Sequence, residues 1–182
     1  MVTIILYGDI KDKSITSKLC RLLSDYGGVL YFSNSKAVKY GCDSNLSYCV
    51  YECDNLNEIS IPDSIVIFKS KQSNTAPLKL CQNITAIIES HNKCAISAIS
   101  GNSNTCVSCG MSSNDTITIS SLSDTDATIS IQRSIIDMHQ NIIDPCEFTV
   151  KMQHFCDGYV LLSTVCVMIL SDSNLLKKKL IL

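Results

Sequence analysis

Over the first hundred residues, short apolar runs alternate with polar turns and with stretches of helical spacing. Thr3-Ile4-Ile5-Leu6-Tyr7 predicts a buried strand, and Gly8-Asp9-Ile10-Lys11-Asp12-Lys13-Ser14 a polar turn. Over residues 15–26 the apolar stripe Ile15, Leu19, Leu22 and Leu23 has helical spacing. Gly27-Gly28 stops that helix, and Val29-Leu30-Tyr31-Phe32 begins a second strand. Residues 33–46 read as polar and irregular. A strand is expected over 47–53, a loop over 55–63, a strand over 64–68 and a polar connection over 69–77. Further strands are predicted at 84–89 and 105–109, with a short helix over 92–99 between them.

After Gly110 the pattern changes to a period of two. Thr116-Ile117-Thr118-Ile119-Ser120 and Ala127-Thr128-Ile129-Ser130-Ile131-Gln132 alternate polar and apolar residues, which predicts antiparallel strands with one wet face. Ile135-Ile136, Asn141-Ile142-Ile143 and Glu147-Phe148-Thr149-Val150 are read as extensions of that sheet. Asp157 is an expected N-cap for a helix over 158–170. That helix is apolar around most of its circumference, so it is expected to be buried or covered by a partner. Alternating strands and helices followed by a strand-rich segment predict an α/β fold. Its expected form is a mostly parallel, P-loop-like sheet with flanking helices and a small antiparallel subsheet at about residues 112–152.

The length of 182 residues fits one domain over 1–182, and 46% hydrophobic content is ordinary for a globular chain. A net charge of −2 leaves no electrostatic footprint for nucleic acid. The cationic run Lys177-Lys178-Lys179, beside Leu180-Ile181-Leu182, reads as a solvated helix end rather than a membrane contact. No signal peptide is expected, since the first residues lack a basic region. The longest apolar run, 159–170, is too short to span a bilayer. A cytoplasmic location without membrane association is therefore expected, with the eleven cysteines mostly reduced.

Several residues carry candidate chemistry. Lys13-Ser14 in the first turn reads either as a phosphate contact or as a solvated lysine and a helix cap for Ile15. Glu52 and Asp54 lie at the end of a predicted strand, where α/β sheets bind ligands. Together with Asp9 or Asp12 they form a candidate magnesium site, the alternative being a polar strand end. Cys106-x-x-Cys109 has zinc-knuckle or redox spacing without a second such pair. A metal site there needs His91, His139 or His154 to converge on it. Cys49, Cys81, Cys94 and Cys166 lie in apolar surroundings and read as small core residues. Arg133, at the end of an alternating strand, is either an anion contact or an exposed strand end.

The order of these pieces resembles the central, ATP-binding domain of the Mur ligases and folylpolyglutamate synthases. Ile4-Ile5-Leu6-Tyr7-Gly8 through Lys13-Ser14-Ile15-Thr16 sits where that family has a strand and a glycine-rich phosphate loop ending in Lys-Ser/Thr-Thr. Tyr48-Cys49-Val50-Tyr51-Glu52 is similar to the strand whose final glutamate helps hold magnesium. Thr85-Ala86-Ile87-Ile88-Glu89-Ser90-His91-Asn92 resembles a strand running into Asn-x-Asp-Asp, and Val107-Ser108-Cys109-Gly110 the strand end that follows. Phe148-Thr149-Val150-Lys151-Met152, with His154 and the 159–170 helix, resembles the family's last strands, turn and helix.

The resemblance implies ATP and magnesium as cofactors. It places Gly8, Lys13, Ser14 and Ile15 at the phosphate loop and Glu52 at the metal. The loop departs from the family where it matters. Asp9 and Asp12 stand at glycine positions, and two carboxylates there repel a triphosphate. The connection after Phe68 is too short for the family's helix and substrate-side lysine, and the family's two flanking domains are not expected within these 182 residues. The expectation is a domain without catalytic activity that binds a ligand or a protein, self-association included. Two alternatives stand beside it. One is an ATP/Mg-dependent ligase or phosphoryl-transfer enzyme using Lys13, Ser14 and Glu52. The other is a zinc or redox protein built on Cys106 and Cys109.

Overall fold

The computed structural model describes residues 1–42, 45–72, 75–177 and 181, with the side chains of residues 175 and 177 excepted. The chain is mixed α/β and divides into two compact units, Met1–Cys106 and Val107–Leu182.

In the first unit, β1 (Val2–Tyr7), α1 (Ser14–Ser24), β2 (Gly28–Ser33), β3 (Lys36–Tyr40) and β4 (Leu46–Cys53) follow one another. After them come β5 (Glu58–Ile59), β6 (Ser64–Phe68), β7 (Lys79–Leu80), β8 (Thr85–Glu89) and α2 (Lys93–Ile99). The sheet order is β8-β6-β1-β4-β2-β3, parallel except for the β2–β3 edge. Its central strands are buried on both faces, which is why β1 and β6 read as continuous apolar runs. One face packs Ile5, Tyr7, Val66, Phe68 and Ala86 against Ala95 and Ala98 of α2. Tyr7 and Phe68 meet there edge to face, 5.6 Å between centroids. Alternation turns Ile4, Leu6, Val50 and Glu52 to the opposite face. A hydrogen bond from Thr16 of α1 reaches Glu52 on that face.

The polar segment 33–46 contains β3, which corrects its reading as irregular. As an edge strand β3 is half wet and carries Lys36 and Lys39, so it lacks the apolar signature of its neighbours. The segment 55–63, read as loop, likewise contains β5, which pairs in parallel with β7 beyond the polar connection; Ile59 and Leu80 of this short ladder enter the core.

The second unit holds β10 (Ile117–Leu122), β11 (Asp126–Ile131), β12 (Ile135–Ile136), β13 (Ile142–Ile143), β14 (Cys146–Lys151) and α3 (Gly158–Ser171), followed by a 3-10 turn, Ser173–Lys177. The strand β9 (Thr105–Gly110), which crosses the division, pairs in parallel with β10. The expected antiparallel subsheet is present as β10-β11-β14. β12 and β13 do not extend it: they form a separate hairpin. Buried Asp137 closes that hairpin by accepting the amides of His139 and Asn141 at 2.8 Å. Asp157 caps α3 as expected, accepting from the Tyr159 amide at 2.9 Å. Thirteen residues of α3, from Tyr159 to Ser171, are buried by the chain itself, so the helix presents no apolar face. Among the described residues no helix is long and apolar enough to cross a membrane. Lys178 and Lys179 of the cationic run lie outside the described residues.

Candidate functional site

The polar groups of the first unit converge where β1, β4 and β6 end. Parallel register sets Leu6 beside Glu52, so the turn after Tyr7, the carboxylate of Glu52 and the residue after Phe68 arrive at the same level. That residue is Lys69. Glu52 is fully buried and Lys69 is 1% exposed. An isolated charge at such depth costs several kcal/mol unless it is paired and hydrogen-bonded, and here both are.

Glu52 Oε1 accepts from Lys69 Nζ at 2.5 Å and from Thr16 Oγ1 at 2.5 Å. Glu52 Oε2 accepts from Lys13 Nζ and from the Tyr31 hydroxyl. Lys13 Nζ also donates to the Tyr31 hydroxyl at 3.1 Å and lies 5.8 Å from the centre of that ring. Each carboxylate oxygen thus takes two donors, which fills its acceptor capacity. Burial alone would raise the Glu52 pKa. Hydrogen bonds from Lys13, Lys69, Thr16 and Tyr31 outweigh that and hold it below the usual carboxylate value. Burial pushes Lys13 down, but Glu52 and Tyr31 together carry its pKa above the ordinary lysine value.

Lys69 has two more protons, and the first turn supplies both acceptors. Its ammonium donates to the carbonyls of Asp9 at 2.9 Å and Asp12 at 2.7 Å. The loop is therefore wrapped around an internal cation. Its amides turn to the protein: Gly8 donates to the Cys53 carbonyl, Asp9 to Lys71, Asp12 to Asp9, and Lys11 to the Asp9 carboxylate. Gly8 sits at φ +142°, and a Cβ there would come within 2.8 Å of Lys69 Cβ. Asn92 fixes Lys69 from the other side. Its side chain donates to the Lys69 carbonyl at 3.0 Å and accepts from the Ala95 amide to cap α2.

Of the residues expected at a phosphate site, Gly8 and Lys13 join this cluster. Ile15 is buried in the α1 core stripe. Ser14 is the first helical residue, not the cap: Asp12 accepts both its amide, at 3.0 Å, and its hydroxyl, at 2.7 Å. Asp54, beyond the end of β4, is exposed and is not drawn into the cluster. Lys69, Tyr31 and Thr16 were not singled out in the sequence. The signal available was a lysine directly after an all-apolar strand, level with a glutamate in register.

This arrangement does not fit magnesium-bound ATP. A triphosphate needs donors, and the loop turns two carbonyls inward to an ammonium. A magnesium ion needs carboxylate lone pairs, and all those of Glu52 are engaged. Among the described residues no group of three or more His, Cys, Asp or Glu could hold a metal ion. Cys106 and Cys109, three apart on β9, face opposite sides of the strand, the first exposed and the second buried. They do not converge. Arg133 donates to the Asn114 carbonyl at 2.7 Å. Of the cysteines read as core residues, Cys166 is buried and Cys49, Cys81 and Cys94 are half-buried.

No family model matches the chain, and no curated protein does. Solved structures do. A UDP-N-acetylmuramoyl-L-alanyl-D-glutamate–2,6-diaminopimelate ligase superposes with a TM-score of 0.55 at 10% identity, covering 95% of this chain and 43% of its own. MurF from Acinetobacter baumannii gives 0.52 at 15% identity, covering 97% and 44%. The murein peptide ligase mpl from Psychrobacter arcticus gives 0.54 at 11% identity, covering 91% and 43%. The chain thus has a Mur-ligase-like fold and spans less than half the length of the structures it matches.

Proposed function

We propose that this chain is a counterpart of the Mur ligase central domain whose phosphate loop has degenerated, and that it works as a non-catalytic binding or assembly module. The observation that carries the reading is the Lys69 ammonium held between the Asp9 and Asp12 carbonyls and Glu52. In this reading the chain acts inside the cell and works as a single functional domain over 1–182. In this reading Lys13 and Glu52 neutralise each other and serve stability. The loop, freed from phosphate binding, is free to have lost its glycines, and Asp9 and Asp12 cost nothing where no triphosphate arrives.

The alternative, an ATP-dependent ligase or phosphoryl-transfer enzyme, requires Lys13 and Glu52 to leave one another. Phosphate release from Mg-ATP separates the two. The module reading expects no turnover above buffer, unchanged by Lys13→Ala. Turnover that Lys13→Ala and Glu52→Gln each abolish would overturn it.

A further inference from the structure

A parallel sheet is ordinarily covered on both faces, and its strands carry apolar residues in both directions for that reason. On the α1 side of the first unit, Val29 and Tyr31 of β2 and Val50 of β4 are buried. On the other side the cover is a layer of three pieces, ordered by its hydrogen bonds. Leu78 and Leu80 turn their amides to the Ala98 carbonyl and the Asn102 side chain, at the end of α2. Lys79 and Cys81 turn theirs to the carbonyls of Asn57 and Ile59. The order is therefore α2, β7, β5. β5 belongs to the connection from β4 to β6, which crosses β1, and Ile59 packs in the same apolar cluster as Ile5.

Past β5 the strands β4, β2 and β3 show an apolar strip. Register sets Tyr51 beside Phe32 and Phe32 beside Ala37; it sets Cys49 beside Leu30 and Leu30 beside Lys39. Alternation places all six on the side away from α1. Tyr51, Cys49 and Leu30 are half-buried, Phe32 is 37% exposed, and Ala37 and Lys39 are exposed. A sheet face built for water reads polar at such positions, as Thr128 and Thr149 do on β11 and β14. Here every position but Lys39 is apolar, and a contiguous exposed apolar patch marks an interaction surface.

We propose that two copies of this chain associate by packing these strips of β4, β2 and β3 face to face, about a two-fold axis running along the strands. This rests on the assembly reading above and names its surface. Aligned sheets stack about 10 Å apart with apolar side chains between them. Such an axis reverses the strand order, so the β3 edge of each copy meets the β5 wall of the other. Lys39 stands at that edge, the one charged side chain among these six. Glu58 stands at the wall: Ile59 enters the core, so alternation turns Glu58 away from the sheet. The strip thus has a base at one border and an acid at the other. Under the two-fold it complements itself, setting Lys39 against Glu58 twice around an apolar centre, which is what favours a second copy as the occupant. Glu58 now holds Lys79 at 3.8 Å with both side chains more than half exposed, a pair weak enough to rearrange.

Sedimentation equilibrium of the full chain tests this. The wild type is expected to be a dimer. Phe32→Glu sets two carboxylates into the apolar centre and should weaken association by about a hundredfold or more. Its circular dichroism should match the wild type, since Phe32 is partly exposed in the single copy. Lys39→Glu and Glu58→Lys should each weaken the dimer by about tenfold, as two attractive pairs become repulsive. The double exchange Lys39→Glu/Glu58→Lys should restore it. A monomeric wild type, a dimer unchanged by Phe32→Glu, or a double exchange that fails to recover overturns the proposal. A dimer that survives Phe32→Glu leaves the assembly reading intact on another surface. Mg-ATP turnover abolished by Lys13→Ala, beside a dimer that passes these tests, removes that reading alone.

Discussion

Replacing Lys69 with methionine removes one charge from a pair in which neither partner meets water. Lys69 is 1% exposed and Glu52 is fully buried. Breaking such a pair by deleting one partner costs about 3–5 kcal/mol, because the survivor stays buried and unmatched. Glu52 keeps Lys13, Thr16 and Tyr31, but Lys13 is 48% exposed and its contribution is screened. The Asp12 carbonyl loses its 2.7 Å donor and the Asp9 carbonyl its 2.9 Å donor. The lower end of that range, about 3 kcal/mol, is the expected loss for Lys69→Met. For a chain of this size it lowers Tm by about 6–12 °C. Urea unfolding at pH 7, followed by circular dichroism, reads the change as a lower midpoint at constant slope. The double variant Lys69→Met/Glu52→Gln should cost less than the sum of the two single variants by about 2 kcal/mol, since neither group then lacks a partner. A Lys69→Met protein within about 1 kcal/mol of wild type, or strict additivity in the cycle, refutes the buried pair as the centre of this site.

Two further outcomes follow from other hydrogen-bonded groups. Asn92→Ala removes both the cap of α2 and the clamp on the Lys69 carbonyl, so about 2 kcal/mol of stability should be lost; a thermal melt indistinguishable from wild type would contradict that. Burial raises the Asp137 pKa, but hydrogen bonds from Asn141, Ser173 and His139 override this and bring it from 3.8 to about 2. A depressed carboxylate contributes stability above its unfolded pKa and loses it as pH falls through the folded one. The urea midpoint gap between wild type and Asp137→Asn should therefore be full above pH 4 and shrink towards pH 2, by about 2 kcal/mol; a gap independent of pH would count against it.

The β1–α1–β2 unit was legible because its signals are local: an apolar run, an apolar stripe and a Gly-Gly stop. The alternation of β10 and β11 was legible for the same reason. β3 was not, since an edge strand rich in lysine looks like loop. The hairpin of β12 and β13 was seen as strands but given the wrong partner, because pairing is a tertiary fact. At the site, the sequence offered Lys13 and Glu52, and the fold does join them. It hid Lys69, since a lysine after a strand is ordinarily solvated, and nothing local reports that the strand beneath it is central. Tyr31 was read only as part of a strand and Thr16 only as the end of the loop motif, although their hydroxyls serve Glu52. The start of α1 was placed one residue late, with Ser14 as its cap: Ser14 is already helical, the cap position is Lys13 without a side-chain cap bond, and Asp12 takes the Ser14 amide instead.

The proposed reading turns on the Lys69 ammonium, which takes the Asp9 and Asp12 carbonyls of the first turn and leaves that turn unfit for a nucleotide phosphate. Calorimetric titration of the wild-type chain with Mg-ATP, with Lys13→Ala as control, tests it most directly. The account predicts no binding heat up to millimolar nucleotide in either protein. Micromolar binding that disappears in Lys13→Ala would contradict it, because Lys13 would then have left Glu52 for a phosphate.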